Sequence, residues 1–284
     1  MLIDKTPSEI TDLQRFGWGK FSDEQIADKT NVIREKMALR PPASNTPRVS
    51  VVVPAYQEEE YILGTLLSLA SQTHEDVEFI VVSNGESLGN ATQQIAESAG
   101  FNVIHEPKKG WTQAHQAGLE ASRGTVYATT DADTLHFSDW LTTADEILQT
   151  SNSIAATGRV HFFDLKPGKR LYRMVADTYK QLFEYDGLKL MRGAWGANSF
   201  YIREALQEAG GYRDLRGDIW ADTAVLYRVL PNGGEVVMQD PRAHVFSSAR
   251  RMNKTSVRGL VTNALRRRLN LLGIHSVFQE RDVR

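Results

Sequence analysis

Apolar β-branched runs alternate with amphipathic segments between residues 48 and 134, and this alternation restricts the fold more than any other feature of the chain. The run VSVVV at 49–53 is typical of a strand that is buried on both faces of a parallel sheet. Further strands are predicted at 77–82, 101–106 and 125–130, with helical apolar spacing between them. Four such units predict a parallel α/β sheet whose ligands bind beyond the carboxyl ends of its strands.

The alternation loosens after residue 150. We expect a strand at 153–163, a helical insertion at 169–191, helices within 203–212 and 221–234, and an edge strand within 234–248. Residues 1–47 are predicted to form a helical extension and a proline-containing linker, because prolines interrupt regular structure. The main domain is then expected at 48–252, with halves at 48–134 and 135–252, followed by a helical tail at 253–284.

Two carboxylates, Asp131 and Asp133, directly follow the predicted strand at 125–130. Asp is unfavourable in strands, and two neighbouring carboxylates repel each other unless a cation lies close to them. Mg²⁺ and Mn²⁺ suit such oxygen ligands, and Mg²⁺ commonly uses one or two carboxylates together with substrate phosphates. An isolated pair of this kind is more often a solvated turn before a helix, here one predicted near Ser138, so the metal interpretation depends on the surrounding segments.

Composition argues against several functional classes. The chain has no cysteine, which excludes disulfides, zinc-thiolate sites and thiol nucleophiles. Its 33 Lys and Arg residues nearly balance 35 Asp and Glu residues, so nothing indicates a nucleic-acid partner. The first strand is followed by PAYQEEE, whereas a dinucleotide site would have G-x-G-x-x-G there, and no P-loop is present. The chain has neither a signal-like leader nor an apolar run of about 18 residues, which predicts a cytoplasmic protein.

Five segments, taken in order, resemble the family 2 glycosyltransferases, which have the GT-A fold and use nucleotide-activated sugars. They cover about residues 48–252 and read VSVVVPAYQEEEYI, EFIVVSNGESLGNAT, KKGWTQAHQAGLEASRGTVYATTDADT, RGAWGANSFYIREALQEAGGY and WADTAVLYRVLPNGGEVVMQDPRAHVFSSARR. The resemblance implies an α/β fold of GT-A type, with a Rossmann-like, mostly parallel sheet flanked by helices, an N-terminal helical extension and a C-terminal helix. It also implies a metal-dependent, inverting transfer of sugar from a nucleoside diphosphate sugar, first of all a UDP-sugar, to an acceptor hydroxyl.

The resemblance assigns expected roles to individual residues. Asp133 is the expected direct ligand of Mn²⁺ or Mg²⁺, and Asp131 is expected nearer to the ribose and the metal-bound waters. His244 is either a third metal ligand or an ordinary structural histidine. Ser83 stands where the family commonly has a base-reading Asp, and Asn84 is a weaker alternative reader. The full set expected around the nucleotide is Pro54, Tyr56, Glu58, Ser83, Asn84, Lys109, Gly110, Gln113, Asp131, Ala132, Arg250 and Arg251.

The expected general base lies in the helix within 221–234. The family has an E-D pair at the start of this helix, and here the pair reads Ala221-Asp222. Asp222 is the expected base because it aligns with the helix, and Asp218 is the competing carboxylate. Two other functions stay open: a sugar-phosphate nucleotidyltransferase using the same carboxylates, and an inactive nucleotide-sugar-binding module, which the missing Glu and Ser83 suggest.

The acceptor and the partners are less defined by the sequence. Residues 164–192 differ from the shared core and are expected to shape the acceptor site, which could take a lipid-linked sugar, a polysaccharide, a protein or a small molecule. In the tail, leucines 260, 265, 269 and 272 share one helical face, with arginines at 266–268 around it. This composition is typical of an interfacial helix at the inner face of the membrane, and docking onto the domain or onto a second copy in a homodimer is the alternative.

Overall fold

The computed structural model describes residues 7–170, 194–215, 221–230, 235–256, 258, 259 and 262. These residues belong to two compact units, the larger within 3–163 and 193–247 and the smaller within 164–192 and 248–284. Three sequence predictions concern residues outside the described ranges: Asp218, most of the helical insertion at 169–191, and nearly all of the tail.

The larger unit contains an eight-stranded sheet, counted over the described residues. Its strands are β1 Val49–Ala55, β2 Val77–Asn84, β3 Asn102–Glu106, β4 Val126–Thr129, β5 Thr134–His136, β6 Ser153–Phe162, β7 Ser199–Ile202 and β8 Glu235–Ser247. Its helices are α1 Ser8–Gly17, α2 Asp23–Ala38, α3 Ile62–Ala70, α4 Ala91–Ser98, α5 Trp111–Ala121, α6 Trp140–Ser151, α7 Arg203–Glu208 and α8 Ala221–Val229, and the smaller unit contributes α9 Arg250–Lys254. The strand order is β3-β2-β1-β4-β7-β6-β8-β5.

The first half of the sheet confirms the predicted parallel arrangement. β1 pairs in parallel with β2 and with β4, and β2 pairs in parallel with β3. Val51 and Val53 of β1 belong to the hydrophobic core on one face of the sheet, and Val52 belongs to the core on the other face. Burial on both faces explains the continuous apolar run, since each valine contributes about 1.5–3 kcal/mol when it leaves water.

The second half of the sheet is mixed and differs from the expectation at its edge. β7 is antiparallel to β4 and to β6, and β8 is parallel to β6 and antiparallel to β5. The predicted edge strand within 234–248 is second from the edge, because a three-residue strand that was not predicted pairs with its last residues, Val245, Phe246 and Ser247. This strand, β5, is buried, and α6 begins at Trp140, two residues after Ser138, near which a helix start was predicted.

The two N-terminal helices pack on α3 within the larger unit. Gly17 lies directly against Gly64, since a Cβ added to Gly17 would lie 1.9 Å from the Gly64 nitrogen. The Trp18 ring lies 5.4 Å from that of Tyr61 and 4.8 Å from that of Phe163. None of the helices in the described ranges has the length and apolar composition needed to cross a bilayer.

Candidate active site

The two carboxylates singled out by the sequence lie on the turn between β4 and β5, which we call the carboxylate turn (residues 130–133). Asp131 is half-buried, and only 6% of the Asp133 surface is exposed. Thr129, the last residue of β4, pairs with Val52 of the parallel strand β1, so the turn lies on the side of the sheet at which β1 also ends. This is the edge beyond which α/β sheets bind their ligands.

A buried histidine contacts the carboxylate turn. His136 Nε2 lies 2.8 Å from Thr130 Oγ1, and its Nδ1 lies 2.9 Å from Ser68 Oγ. Thr65 Oγ1 donates a 2.8 Å hydrogen bond to the carbonyl oxygen of Ala132, between the two carboxylates. Burial lowers the pKa of His136 to about 3, so its ring is neutral at physiological pH.

Tyr56 and Lys109, predicted to contact the nucleotide, meet at the next strand end. The Lys109 ammonium donates a 3.0 Å hydrogen bond to the Tyr56 hydroxyl and lies 4.2 Å from the centre of the ring. A Cβ added to Gly85 would lie 3.0 Å from Tyr56 Cε2, so the ring packs directly against the Gly85 backbone. Tyr56 is 38% exposed and presents an aromatic surface to solvent at this edge.

The side-chain amide of Asn84 forms hydrogen bonds with the backbone of the loop before α5. Its Nδ2 donates to the carbonyl oxygens of Glu106 (3.1 Å) and Lys108 (2.8 Å), and its Oδ1 accepts a 2.8 Å hydrogen bond from the Gly110 N–H. Both amide hydrogens are thus engaged, which argues against Asn84 as a reader of the base. Asn84 instead holds the loop that carries Lys109.

The neighbouring predicted residues have varied surroundings. Ser83 is buried, and its hydroxyl oxygen accepts a 2.9 Å hydrogen bond from Asn90 Nδ2. Glu58 is buried next to the start of α3, and its N–H donates to Thr92 Oγ1. Pro54 lies in β1 opposite Val82, and the Gln113 amide oxygen lies over Gly110.

Asp222, the expected base, is the second residue of α8. A Cβ added to Gly196 would lie 2.7 Å from Asp222 Oδ1 and 3.1 Å from Trp111 Cζ2, so no larger residue fits between them without a shift. The Gly196 carbonyl oxygen also accepts a 2.5 Å hydrogen bond from Thr129 Oγ1 at the end of β4. One glycine therefore links Asp222 to the strand that leads into the carboxylate turn.

The charge of Asp222 affects the pKa of two buried tyrosines, Tyr201 and Tyr212. Burial raises the pKa of Tyr201 and of Tyr212, and the negative charge of Asp222 raises both further. Tyr212 also packs against the rings of Trp111 and His115. Asp222 therefore has the neutral side chains of Tyr201 and Tyr212 in its surroundings.

The surroundings of His244 favour the structural role over the metal-ligand role. Thr134, which follows Asp133, pairs with Ser247, and His244 precedes Ser247 by three residues of extended strand, or about 10 Å. The His244 ring instead packs on Phe137 at 4.8 Å and its Nδ1 lies 3.1 Å from the Pro241 carbonyl oxygen. These two contacts fit an ordinary structural histidine, which is the second of the two roles expected for His244.

Comparison with known proteins identifies the family. Residues 50–210, more than half of the chain, match the family described as Glycosyl transferase family 2. This chain is a family 2 glycosyltransferase. It is 30% identical over 194 residues to EpsH of Bacillus subtilis (strain 168), which carries a glycosyltransferase name; the match covers 61% of this chain and 52% of EpsH. The chain thus spans about half the length of that relative.

Solved structures of other glycosyltransferases share the fold. The mannosyltransferase PcManGT from Pyrobaculum calidifontis, in complex with GDP-Man and Mn²⁺, aligns with a TM-score of 0.56 at 18% identity, over 88% of this chain and 74% of its own. Glucosyl-3-phosphoglycerate synthase from Mycobacterium tuberculosis, in complex with Mn²⁺ and UDP-glucose, aligns with a TM-score of 0.54 at 17% identity, over 87% of this chain and 84% of its own. The glycosyltransferase described here therefore has the GT-A fold that the sequence predicted.

The carboxylate turn fits a divalent ion that takes its other ligands from elsewhere. Within the described ranges, no three His, Asp or Glu side chains converge as a metal site, so Asp131 and Asp133 are the candidate donors there. Two carboxylate donors suit Mg²⁺ or Mn²⁺ when substrate phosphates and waters complete the coordination. The donor chemistry of the turn is consistent with such an ion and does not suit a closed, all-protein site.

The remaining predicted residues lie in the smaller unit or outside the described ranges. Arg250 and Arg251 begin α9, and within that unit the Arg250 N–H donates a 3.2 Å hydrogen bond to Ser248 Oγ. Asp164 accepts hydrogen bonds from Ser248 Oγ and from the Ala249 N–H. The competing base Asp218 is outside the described ranges, so only Asp222 can be placed.

The residues that hold the site together were not predicted from the sequence. His136, Thr65 and Ser68 are ordinary core residues by type, and they reach the carboxylate turn only because α3 packs beside β5. Gly196 lies in the quoted segment RGAWGANSF, but its contact with Asp222 depends on tertiary packing. The sole local signal was the position of His136, three residues after Asp133.

Proposed function

We propose that this glycosyltransferase moves a sugar from a nucleoside diphosphate sugar, with UDP as the first candidate, to an acceptor hydroxyl with inversion at the anomeric carbon. Asp131 and Asp133 hold Mn²⁺ or Mg²⁺, and Asp222 is the general base. Membership of family 2 supports the transfer itself. The metal, the base and the stereochemistry are inferred from the site.

One observation carries the proposal: Gly196 joins Asp222 to the end of β4, next to the carboxylate turn. A carboxylate that accepts a proton has to lie beside the reacting carbon and apart from the diphosphate. Two separate acidic positions at one edge of the sheet meet this requirement. The two cocrystal structures named above, of transferases with Mn²⁺ and GDP-Man or UDP-glucose, support the choice of ligand.

The proposed reaction forms one bond and breaks one. The acceptor oxygen bonds to the anomeric carbon as its proton passes to a carboxylate oxygen of Asp222, and the bond from that carbon to the diphosphate oxygen breaks with both electrons leaving on the nucleoside diphosphate. A divalent ion bound at the carboxylate turn stabilises the charge of the leaving diphosphate. Tyr56 stacks against the base, and Lys109 exchanges its contact with Tyr56 for the phosphates.

The proposal is tested by calorimetric titration of UDP in Mn²⁺ and in EDTA. We expect binding at least about tenfold tighter with Mn²⁺, and we expect Asp133→Asn to remove most of that difference. Asp139→Asn is the matched control, because it makes the same chemical change at an exposed acid six residues further on. Equal UDP affinity in Mn²⁺ and EDTA would contradict the metal assignment.

A screen of nucleotide sugars for product release separates this function from its alternatives. A glycosyltransferase releases nucleoside diphosphate, whereas a nucleotidyltransferase releases pyrophosphate from a nucleoside triphosphate and a sugar phosphate. A binding module would bind the donor without release. Because Ser83 replaces a charged base reader, the panel should include UDP-, GDP- and dTDP-sugars, each with and without lipid-linked, polysaccharide and small-molecule acceptors.

A further inference from the structure

The carboxylate turn is enclosed by a chain of hydrogen bonds that begins before Asp131 and ends between Asp131 and Asp133. Its members are Thr130, His136, Ser68, Thr65 and Ala132. Each is 3% exposed or less, so no water competes for these contacts. Such a chain, built from α3 and β5, fixes the backbone on both sides of Asp131.

The direction of each hydrogen bond follows from the available hydrogens. The one hydroxyl hydrogen of Ser68 goes to the Thr65 carbonyl oxygen, 2.8 Å away, so Ser68 Oγ has to accept from His136 Nδ1. A neutral histidine that donates from Nδ1 accepts at Nε2, so the Thr130 hydroxyl donates to Nε2. Thr65 Oγ1 then donates to the Ala132 carbonyl oxygen. Only one assignment of donors and acceptors therefore satisfies all four hydrogen bonds.

We infer that His136, as the Nδ1–H tautomer, is a positioning residue for the metal-binding carboxylates. It touches neither carboxylate and acts through Thr130 and, by way of Ser68 and Thr65, through Ala132. Its ring lies 4.2 Å from the Trp140 ring, and the Trp140 indole N–H donates to Asn198 Oδ1 just before β7, so the histidine packs on a side chain that is itself held by a hydrogen bond. The inference rests on the proposed metal site at Asp131 and Asp133.

The role makes a quantitative claim about metal affinity. Groups that orient metal ligands from outside the coordination sphere typically change affinity by about 10- to 100-fold when removed. Thr130→Val keeps the shape of the side chain and removes the hydroxyl that donates to His136, whereas Thr130→Ser keeps the hydroxyl and removes a methyl group. The pair therefore separates the hydrogen bond from packing.

The test measures Mn²⁺ affinity in the presence of UDP by electron paramagnetic resonance. We expect Thr130→Val to bind Mn²⁺ about tenfold or more weakly and Thr130→Ser to stay within about twofold of the unmodified protein. Equal affinity for Thr130→Val would overturn the positioning role while leaving the metal site intact. Absence of Mn²⁺ binding by the unmodified protein would overturn the metal site itself, and with it the role assigned to His136.

A second measurement on the unmodified protein does not depend on folding of the variants. Nitrogen-15 spectra of histidine-labelled protein report which ring nitrogen of each histidine carries the proton. We expect the Nδ1 of His136 to carry the proton and its Nε2 to be unprotonated. Assignment by comparison with His136→Gln identifies the signal, and a proton on Nε2 would reverse the chain of hydrogen bonds and overturn the inference.

Discussion

Asn84 is the residue whose substitution tests how the nucleotide loop is held. Asn84→Ala removes three partly buried hydrogen bonds to the loop at 106–110, so we expect the free energy of unfolding to fall by about 1–3 kcal/mol. We also expect the KM for the sugar donor to rise more than kcat falls, because Lys109 loses its fixed position. Urea unfolding and donor titration measure the two effects.

Lys109→Gln is the matched comparison for Asn84→Ala. Lys109 is exposed, and its contacts are with the solvent-facing side of Tyr56, so we expect a similar rise in KM with little change in stability. If Asn84→Ala lost stability without any change in KM, the loop would not depend on Asn84 for donor binding. Unchanged stability would show that the three hydrogen bonds contribute nothing net.

At the scale of elements, the strands and helices with a clear apolar periodicity were predicted from the sequence. The strands of the parallel half were recognisable because both of their faces are buried, as the alternation of Val51, Val52 and Val53 between two cores shows. β5 was not recognisable, because three residues carry no periodicity and their partner in β8 is more than 100 residues away. The two roles of His244 were left open for the same reason, since the register between β5 and β8 decides which end of β8 meets the carboxylate turn.

In the candidate site, too, local features were predicted from the sequence and contacts between distant segments were not. Asp131 and Asp133 were noticed as a local pattern at a predicted strand end, and the resemblance to family 2 supplied their expected roles and that of Asp222. The contacts that give these residues their surroundings, from Gly196 and His136, join distant segments and needed the structure. Asn84 was predicted as a site residue, but its hydrogen bonds to the loop at 106–110 were not.

At the scale of the whole molecule, two buried neutral histidines make stability depend on pH. Burial lowers the pKa of His115 and of His136 to about 3, against about 6.5 in the unfolded chain. Below pH 6.5 the unfolded chain therefore binds protons that the folded chain does not, and stability falls as pH falls. We expect the two histidines together to lower the free energy of unfolding by about 4 kcal/mol between pH 7 and pH 5.

Urea unfolding across this pH range checks the prediction. In His115→Gln, the group at 115 no longer titrates, so we expect the slope of stability against pH to decrease by about 1.4 kcal/mol per pH unit below pH 6. Comparison of the slopes cancels the contribution of the carboxylates and any constant loss from the substitution. Identical slopes in the two proteins would mean that His115 is not held neutral in the folded state.

The turnover of Asp222→Asn with its nucleotide-sugar donor and Mn²⁺ tests the central claim most directly. A positioned general base contributes about 10²- to 10⁴-fold in rate, and it acts on the acceptor, not on the diphosphate. We therefore predict that Asp222→Asn lowers nucleoside diphosphate release by that factor while UDP affinity in Mn²⁺ stays within about twofold. Normal turnover in Asp222→Asn, with activity abolished in Asp218→Asn, would contradict the account and assign the base to Asp218.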